Sequence, residues 1–178
     1  MNTERFVTIS GCSGGGKSSL INELKSRGYS TIDEPGRRVV VHETENSGGA
    51  LPWVDMPAFA QRTTELALRD YERAANLSGI VFFDRGLIDA IAALEYATGH
   101  RIFDRDAQHR YNSRVFFAPP WPEIYVQDDE RRHDFSDAIN EYDRLLSTYK
   151  SLNYCIELLP KCSVEERADF ILERVQSN

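Results

Sequence analysis

The sequence predicts an α/β fold, a five-stranded parallel sheet flanked by helices, and three observations carry that expectation. Five short apolar runs alternate with stretches of helical periodicity, and each parallel crossover needs its own covering element. The run ending at Phe83 is apolar without alternation, as suits a strand covered on both faces. The first run leads straight into GCSGGGKSSL, residues 11 to 20, a glycine-rich loop that opens a helix.

Phe6, Val7 and Ile9 mark the first strand, and Leu20, Ile21 and Leu24 recur at helical spacing before Gly28, a helix stop. Residues 29 to 33 form the second strand candidate and residues 37 to 43 a short helix or turn. ENSGGALPWVDMP, residues 45 to 57, is rich in Gly and Pro and reads as a surface loop. Pro57 suits the first turn of a long helix, in which Phe59, Thr63, Leu66, Ala67, Tyr71, Ala74 and Ala75 keep helical spacing as far as Ser78 and Gly79. Residues 80 to 83 give the third strand, ending in Asp84, and residues 87 to 97 a helix stopped by Thr98 and Gly99. A weaker helical pattern covers residues 104 to 113, before a fourth strand at 115 to 118. Residues 119 to 134 hold three prolines among many charges and read as a lid-like loop. Ala138, Ile139, Tyr142, Leu145, Leu146, Tyr149 and Leu152 then trace one helical face. Residues 154 to 158 are the fifth strand, and Ser163 with Glu166 has capping-box spacing for a last helix.

With 178 residues and 41% hydrophobic content, the chain is expected to fold as a single domain over residues 1 to 178. A net charge of −7 argues against nucleic acid or an anionic membrane as the main partner, while a local basic pocket would suit a phosphorylated small molecule. Cys12, Cys155 and Cys162 are odd in number and lack C-x-x-C spacing, so neither a disulfide framework nor a zinc site is expected and a reducing cytoplasm is the simplest home. The first strand begins almost at once, which leaves no room for a signal peptide, and no apolar run approaches the roughly 20 residues that span a bilayer. The four histidines show no ligand spacing.

Gly11, Gly16, Lys17 and Ser18 fit G-x-x-x-x-G-K-[ST], the Walker A or P-loop pattern, whose glycines let phosphate oxygens reach backbone N–H groups. Gly11, Cys12, Ser13, Gly14, Gly15, Gly16, Lys17, Ser18 and Ser19 are therefore the candidate phosphate cradle. Lys17 would reach the β- and γ-phosphates, and the Ser18 hydroxyl would bind Mg²⁺. Ligands of such sheets lie beyond the carboxyl ends of the strands, which gathers the other candidates. Asp84 has the form of a Walker B acid that holds Mg²⁺ directly or through water, with a helix cap as the alternative. Arg85 would neutralise a phosphate or hold a substrate oxyanion, unless it forms an ion pair with Glu34 or Asp33. Glu34 could serve as general base toward an acceptor hydroxyl, orient water, or bind Arg37 or Arg38. Arg131 and Arg132 lie in the loop after the fourth strand, where cations can meet charge on a migrating phosphoryl group; the alternative is pairing with Asp128, Asp129, Glu130 and Asp134.

These residues resemble P-loop kinases of small molecules, and most closely small bacterial proteins with an AAA-type ATP-binding domain. TISGCSGGGKSSL, IDEPGRRVV, VFFDRGLIDA, PPWPEIYVQDDERRHDF and LLPKCSVEERADFIL carry the resemblance over essentially the whole chain. It implies a P-loop NTPase fold, nucleoside or nucleotide kinase-like, that uses ATP and Mg²⁺. Glu34-Pro35 looks like the Glu-Pro pair of deoxynucleoside and thymidylate kinases, where the glutamate of the former acts as base. Asp84-Arg85 looks like their acid-Arg pair, and Arg131-Arg132 occupies the place of their lid arginines. By the same resemblance Leu159-Pro160-Lys161 lies where such kinases hold adenine, which makes Pro160 a candidate cofactor contact. Ribosylnicotinamide kinases are similar in the loop after the fourth strand. Residues 44 to 57 match no acceptor-site pattern.

The expectation is a Mg-ATP-dependent phosphotransferase acting on a small-molecule acceptor such as a nucleoside or nucleotide. No guanine-specifying N-K-x-D sequence occurs, which disfavours GTP and leaves it as the alternative. The rival is a nucleotide switch or slow NTPase, in which phosphate-dependent ordering of residues 44 to 57 and 119 to 134 exposes a surface to a protein partner. A third reading is a module that binds ATP without turning it over.

Overall fold

The structure, a computed structural model, describes residues 3–102, 110–125 and 134–176. Its strands are β1 (Phe6–Gly11), β2 (Ser30–Ile32), β3 (Val81–Asp84), β4 (Arg114–Ala118) and β5 (Cys155–Leu158), and its helices α1 (Lys17–Ser26), α2 (Pro35–Glu45), α3 (Met56–Ala74), α4 (Leu87–Thr98), α5 (Phe135–Ser151) and α6 (Val164–Gln176). The strands form one five-stranded sheet in the order β2-β3-β1-β4-β5, with every pairing parallel. From the central β1 the chain builds one edge through β2 and β3 and later the other through β4 and β5. The first loop therefore stands where the strand order reverses, the place at which such sheets bind ligands.

Alternation along each strand divides the core into two layers. Phe6, Val81, Phe83, Val115 and Phe117 point to the side covered by α3, α4 and α5, where they meet Ala67, Tyr71, Ile88, Leu145 and Tyr149. Val7, Ile9, Phe82 and Phe116 point to the other side, against Leu20, Ile21 and Leu24 of α1 and Ala168 and Ile171 of α6. This explains the unbroken apolar VFF that opens β3: Phe82 and Phe83 serve opposite layers and both are buried. Edge-to-face ring pairs lock the first layer, with centroids 5.3 Å apart for Phe6 and Tyr71 and 5.4 Å for Phe117 and Tyr149.

Where elements depart from the sequence reading, a local interaction accounts for it. α2 is a helix of 11 residues because Pro35 takes its first turn, where a missing N–H costs nothing. α3 starts at Met56, with the Asp55 carboxylate accepting from Ala58 N at 3.0 Å, and stops at Ala74 before the expected Ser78. The Arg5 guanidinium ends it by donating to the carbonyls of Ala74, Ala75 and Leu77, groups that a further helical turn would need. Of the helix expected over 104 to 113, residues 104 to 109 lie outside the described residues and 110 to 113 are irregular. There Tyr111 and Asn112 are buried, and Asn112 N donates to Phe6 O at 2.7 Å. The capping box of α6 forms as expected, with Ser163 N donating to Glu166 Oε2 at 2.9 Å and Glu166 N donating to Ser163 Oγ at 3.2 Å. Among the described residues no helix is long and apolar enough to cross a membrane.

Candidate active site

The loop between β1 and α1 is shaped by left-handed glycines, with φ of 110° at Gly11, 75° at Gly14 and 76° at Gly16. A Cβ on Gly11 would strike the Ala118 carbonyl and lie 2.6 Å from Ala118 N, and Cys12 N donates to Ala118 O at 2.8 Å. Gly11, Cys12 and Gly15 thus seat the loop on the end of β4 and do not line the cavity above it. Ser13, Gly14, Gly16, Lys17, Ser18 and Ser19 do line it, a cavity of about 460 Å³ closed on the far side by Trp121 and Arg167.

Lys17 is buried and its Nζ donates to Cys12 O at 2.7 Å, which curls the side chain over the loop. Burial, and after it the Arg85 charge, push its pKa down, while Asp84 and Glu34 pull the other way. Below it the Ser18 hydroxyl donates to Asp84 Oδ2 at 3.0 Å. Asp84 is 2% exposed, and its Oδ1 is buried with no hydrogen-bond partner among the described residues. Burial, reinforced by the nearby Glu34 charge, pushes its carboxyl up to about 6. A hydroxyl and an under-bonded buried carboxylate, side by side beneath a phosphate cradle, are hard oxygen donors of the kind that hold Mg²⁺. Ser18 and Asp84 fit that ion as a pair of oxygen donors, and among the described residues no cluster of three or more His, Cys, Asp or Glu side chains could hold a metal.

A second cavity of about 390 Å³ opens on the other side of Glu34, walled by Val40, Met56 and Phe59 on α2 and α3 and by α5 opposite. Glu34, Arg37 and Ser13 line both cavities. Glu34 owes its place to β2 ending at Ile32 and to Pro35 starting α2, so its carboxylate faces across the sheet's rim toward β3.

Arg85 sits at φ 60°, a strained value for a residue with a Cβ, and is 8% exposed. Its guanidinium contacts Glu34 at 3.4 Å, Asp89 at 3.5 Å and Glu141 at 3.0 Å. Burial opposes its charge, but Glu141, Glu34 and Asp89 hold its pKa above the ordinary arginine value. Three carboxylates engage this cation, and it lines the second cavity, not the phosphate cavity. Asp89 is the hub beneath it: Ser10 Oγ donates at 2.5 Å, Tyr149 Oη at 2.6 Å and Gly86 N at 3.1 Å. The spacing of Gly86 and Asp89 carries a helix-start signal that would have revealed this residue. Glu141 and Arg167 carried no comparable local signal. Arg167 NH groups donate to Gly15 O at 3.4 Å and Gly16 O at 3.3 Å, and its guanidinium lies 5.4 Å from the Trp121 ring centre.

Pro160 does not line this cavity, whereas Cys162, Ser163 and Val164 beside it in the chain do. Arg131 and Arg132 lie outside the described residues.

A family model described as an AAA domain matches residues 6–167. Among solved structures, a deoxyadenosine kinase from M. mycoides with the products dCMP and dCDP bound is similar at 13% identity and a TM-score of 0.64, over 97% of this chain and 98% of that one. A shikimate kinase from Acinetobacter baumannii in complex with shikimate is similar at 16% identity and a TM-score of 0.59, over 97% and 93%. The shikimate kinase of Aquifex aeolicus gives 15% identity and a TM-score of 0.56, over 97% of each chain. No curated protein matches the sequence. Identities this low show a shared fold and nothing finer.

Proposed function

We propose that this chain, which belongs to the AAA domain family, transfers the terminal phosphoryl group of ATP to a hydroxyl of a small-molecule acceptor. One observation carries the reading: the Glu34 carboxylate lines both the phosphate cavity and the separate cavity beside it, so a single base faces donor and acceptor together.

Lys17 and the N–H groups of the loop hold the triphosphate, and the N-terminus of α1 adds its positive dipole. Ser18 and Asp84 hold Mg²⁺, which when bound neutralises charge on the phosphates. Glu34 accepts the acceptor proton as the acceptor oxygen bonds to the γ-phosphorus and the bond from that phosphorus to the bridging oxygen breaks, leaving ADP. Arg85 and Glu141 position Glu34 through their shared ion pairs. Trp121 and Arg167 form a flat wall suited to a nucleobase. A buried site of this kind makes positioned charge the main source of acceleration.

Glu34→Gln tests the reading, because it removes the base and keeps the shape. Turnover should fall by about 100-fold or more, with nucleotide affinity within about 3-fold of wild type. Unchanged turnover would remove Glu34 from the chemistry.

A further inference from the structure

The second cavity holds a cation that no carboxylate engages among the described residues. Arg144 on α5 lines it, and the Arg144 Nε is buried with no hydrogen-bond partner. No hydrogen bond or ion pair engages its guanidinium among the described residues. Its one contact is the Tyr96 ring of α4, with the guanidinium carbon 4.0 Å from the ring centre. Stacking on an aromatic face fixes the plane of the fork while leaving its N–H edge open.

The other charges of the cavity do not account for it. Glu34 and Glu141 are engaged by Arg85 at 3.4 Å and 3.0 Å. Asp137, on the same helix, is exposed and stays hydrated, and the terminal amino groups of Arg144, which have no acceptor among the described residues, are the ones a ligand in the cavity can meet. Asn140, one helical turn before Arg144, also lines the cavity and makes no side-chain hydrogen bond among the described residues.

We infer that Arg144, held flat by Tyr96, is an oxyanion subsite, and that the acceptor therefore carries a carboxylate or phosphate group in addition to the hydroxyl that meets Glu34. The inference rests on the phosphotransferase reading for the role of the cavity, but the anion subsite itself can be measured without turnover. A neutral nucleoside or sugar lacks the group this subsite takes. Val40, Met56 and Phe59 cover the apolar body of the acceptor between its two polar ends.

The first experiment saturates the phosphate cavity with Mg²⁺ and a non-hydrolysable ATP analogue, then titrates inorganic phosphate and, separately, lactate, reading binding by calorimetry. Wild type should bind at least one of them, and Arg144→Gln should weaken that binding roughly 10- to 100-fold. Phosphate alone binding assigns a phosphorylated acceptor; lactate alone assigns a hydroxy acid. Tyr96→Leu, which removes the shelf and keeps the charge, should weaken the same binding, while its circular dichroism and that of Arg144→Gln match wild type. Wild type binding neither anion more tightly than Arg144→Gln overturns the subsite. In the second experiment, labelled ATP is offered with pools of hydroxy acids, phosphomonoesters, and neutral nucleosides and sugars. Labelled product from an anionic pool, lost in Arg144→Gln, supports the inference. Product from the neutral pool alone overturns it and leaves the phosphotransferase reading standing. Product from no pool overturns that reading, and the calorimetric result then decides the subsite on its own.

Discussion

Asp84→Asn should stabilise the metal-free protein at neutral pH. Asp84 is 2% exposed with one oxygen unpaired, so ionising it in the fold is unfavourable, and its carboxyl is pushed from 3.8 up to about 6. At roughly 1.4 kcal/mol per pK unit, that displacement is worth about 3 kcal/mol. The sign follows from linkage: between pH 3.8 and about 6 the folded state binds more protons than the unfolded one, so ionisation of Asp84 lowers stability as pH rises through that window. Asparagine keeps an acceptor for Ser18 and leaves one buried polar group unpaired, as the wild type does, so the pair differs mainly in charge. In EDTA, urea unfolding should show the variant no more stable than wild type near pH 4. Its advantage should grow to about 3 kcal/mol at pH 7.5, or roughly 6 to 12 °C in Tm for a chain of this length. Millimolar Mg²⁺ should then raise the wild-type stability and not the variant's, because binding to the native state alone stabilises it. A variant equal to or weaker than wild type at pH 7.5, or a difference that does not vary with pH, would refute the reasoning.

Gly11→Ala places a Cβ against the Ala118 backbone at a φ of 110°, so neither the strand nor the loop has room to yield. It should lower stability by about 3 kcal/mol or more, measured by urea unfolding. Tyr149→Phe removes the donor to Asp89 Oδ2 and leaves a buried carboxylate one hydrogen bond short, a loss of about 1–3 kcal/mol visible in the same assay. Ser163→Ala removes the hydroxyl that accepts from Glu166 N and should lower stability by about 1 kcal/mol in the same assay.

What the sequence made legible is what local spacing encodes. The loop from Gly11 to Ser18 and the run before Asp84 each announce a strand end with its chemistry, because motif and periodicity lie within one short segment. Glu34 was legible for the same reason, since it follows β2 directly. Less legible was how the charges share partners. Arg85 and Arg144 look alike in sequence, yet among the described residues one is engaged by three carboxylates and the other by none, and two of those three partners, Glu34 and Glu141, are distant in the chain. Arg167 contacts Gly15 and Gly16 across more than 150 residues, a separation that no periodicity registers. The place of Met56 and Phe59 in the second cavity was hidden for a related reason. They lie at the start of α3, just beyond or at the edge of a Gly/Pro-rich segment that read only as loop, and the packing of α3 against α2 places them on the cavity wall.

The most direct measurement of the central claim is turnover of Mg-ATP by the wild type against pooled hydroxyl acceptors, with Lys17→Ala as the control for contaminating activity. The account predicts that at least one pool accelerates ATP loss, yields a phosphorylated product in equal amount, and does neither with Lys17→Ala. If nucleotide binds but no pool changes its turnover and no product forms, the two-cavity phosphotransferase account is contradicted.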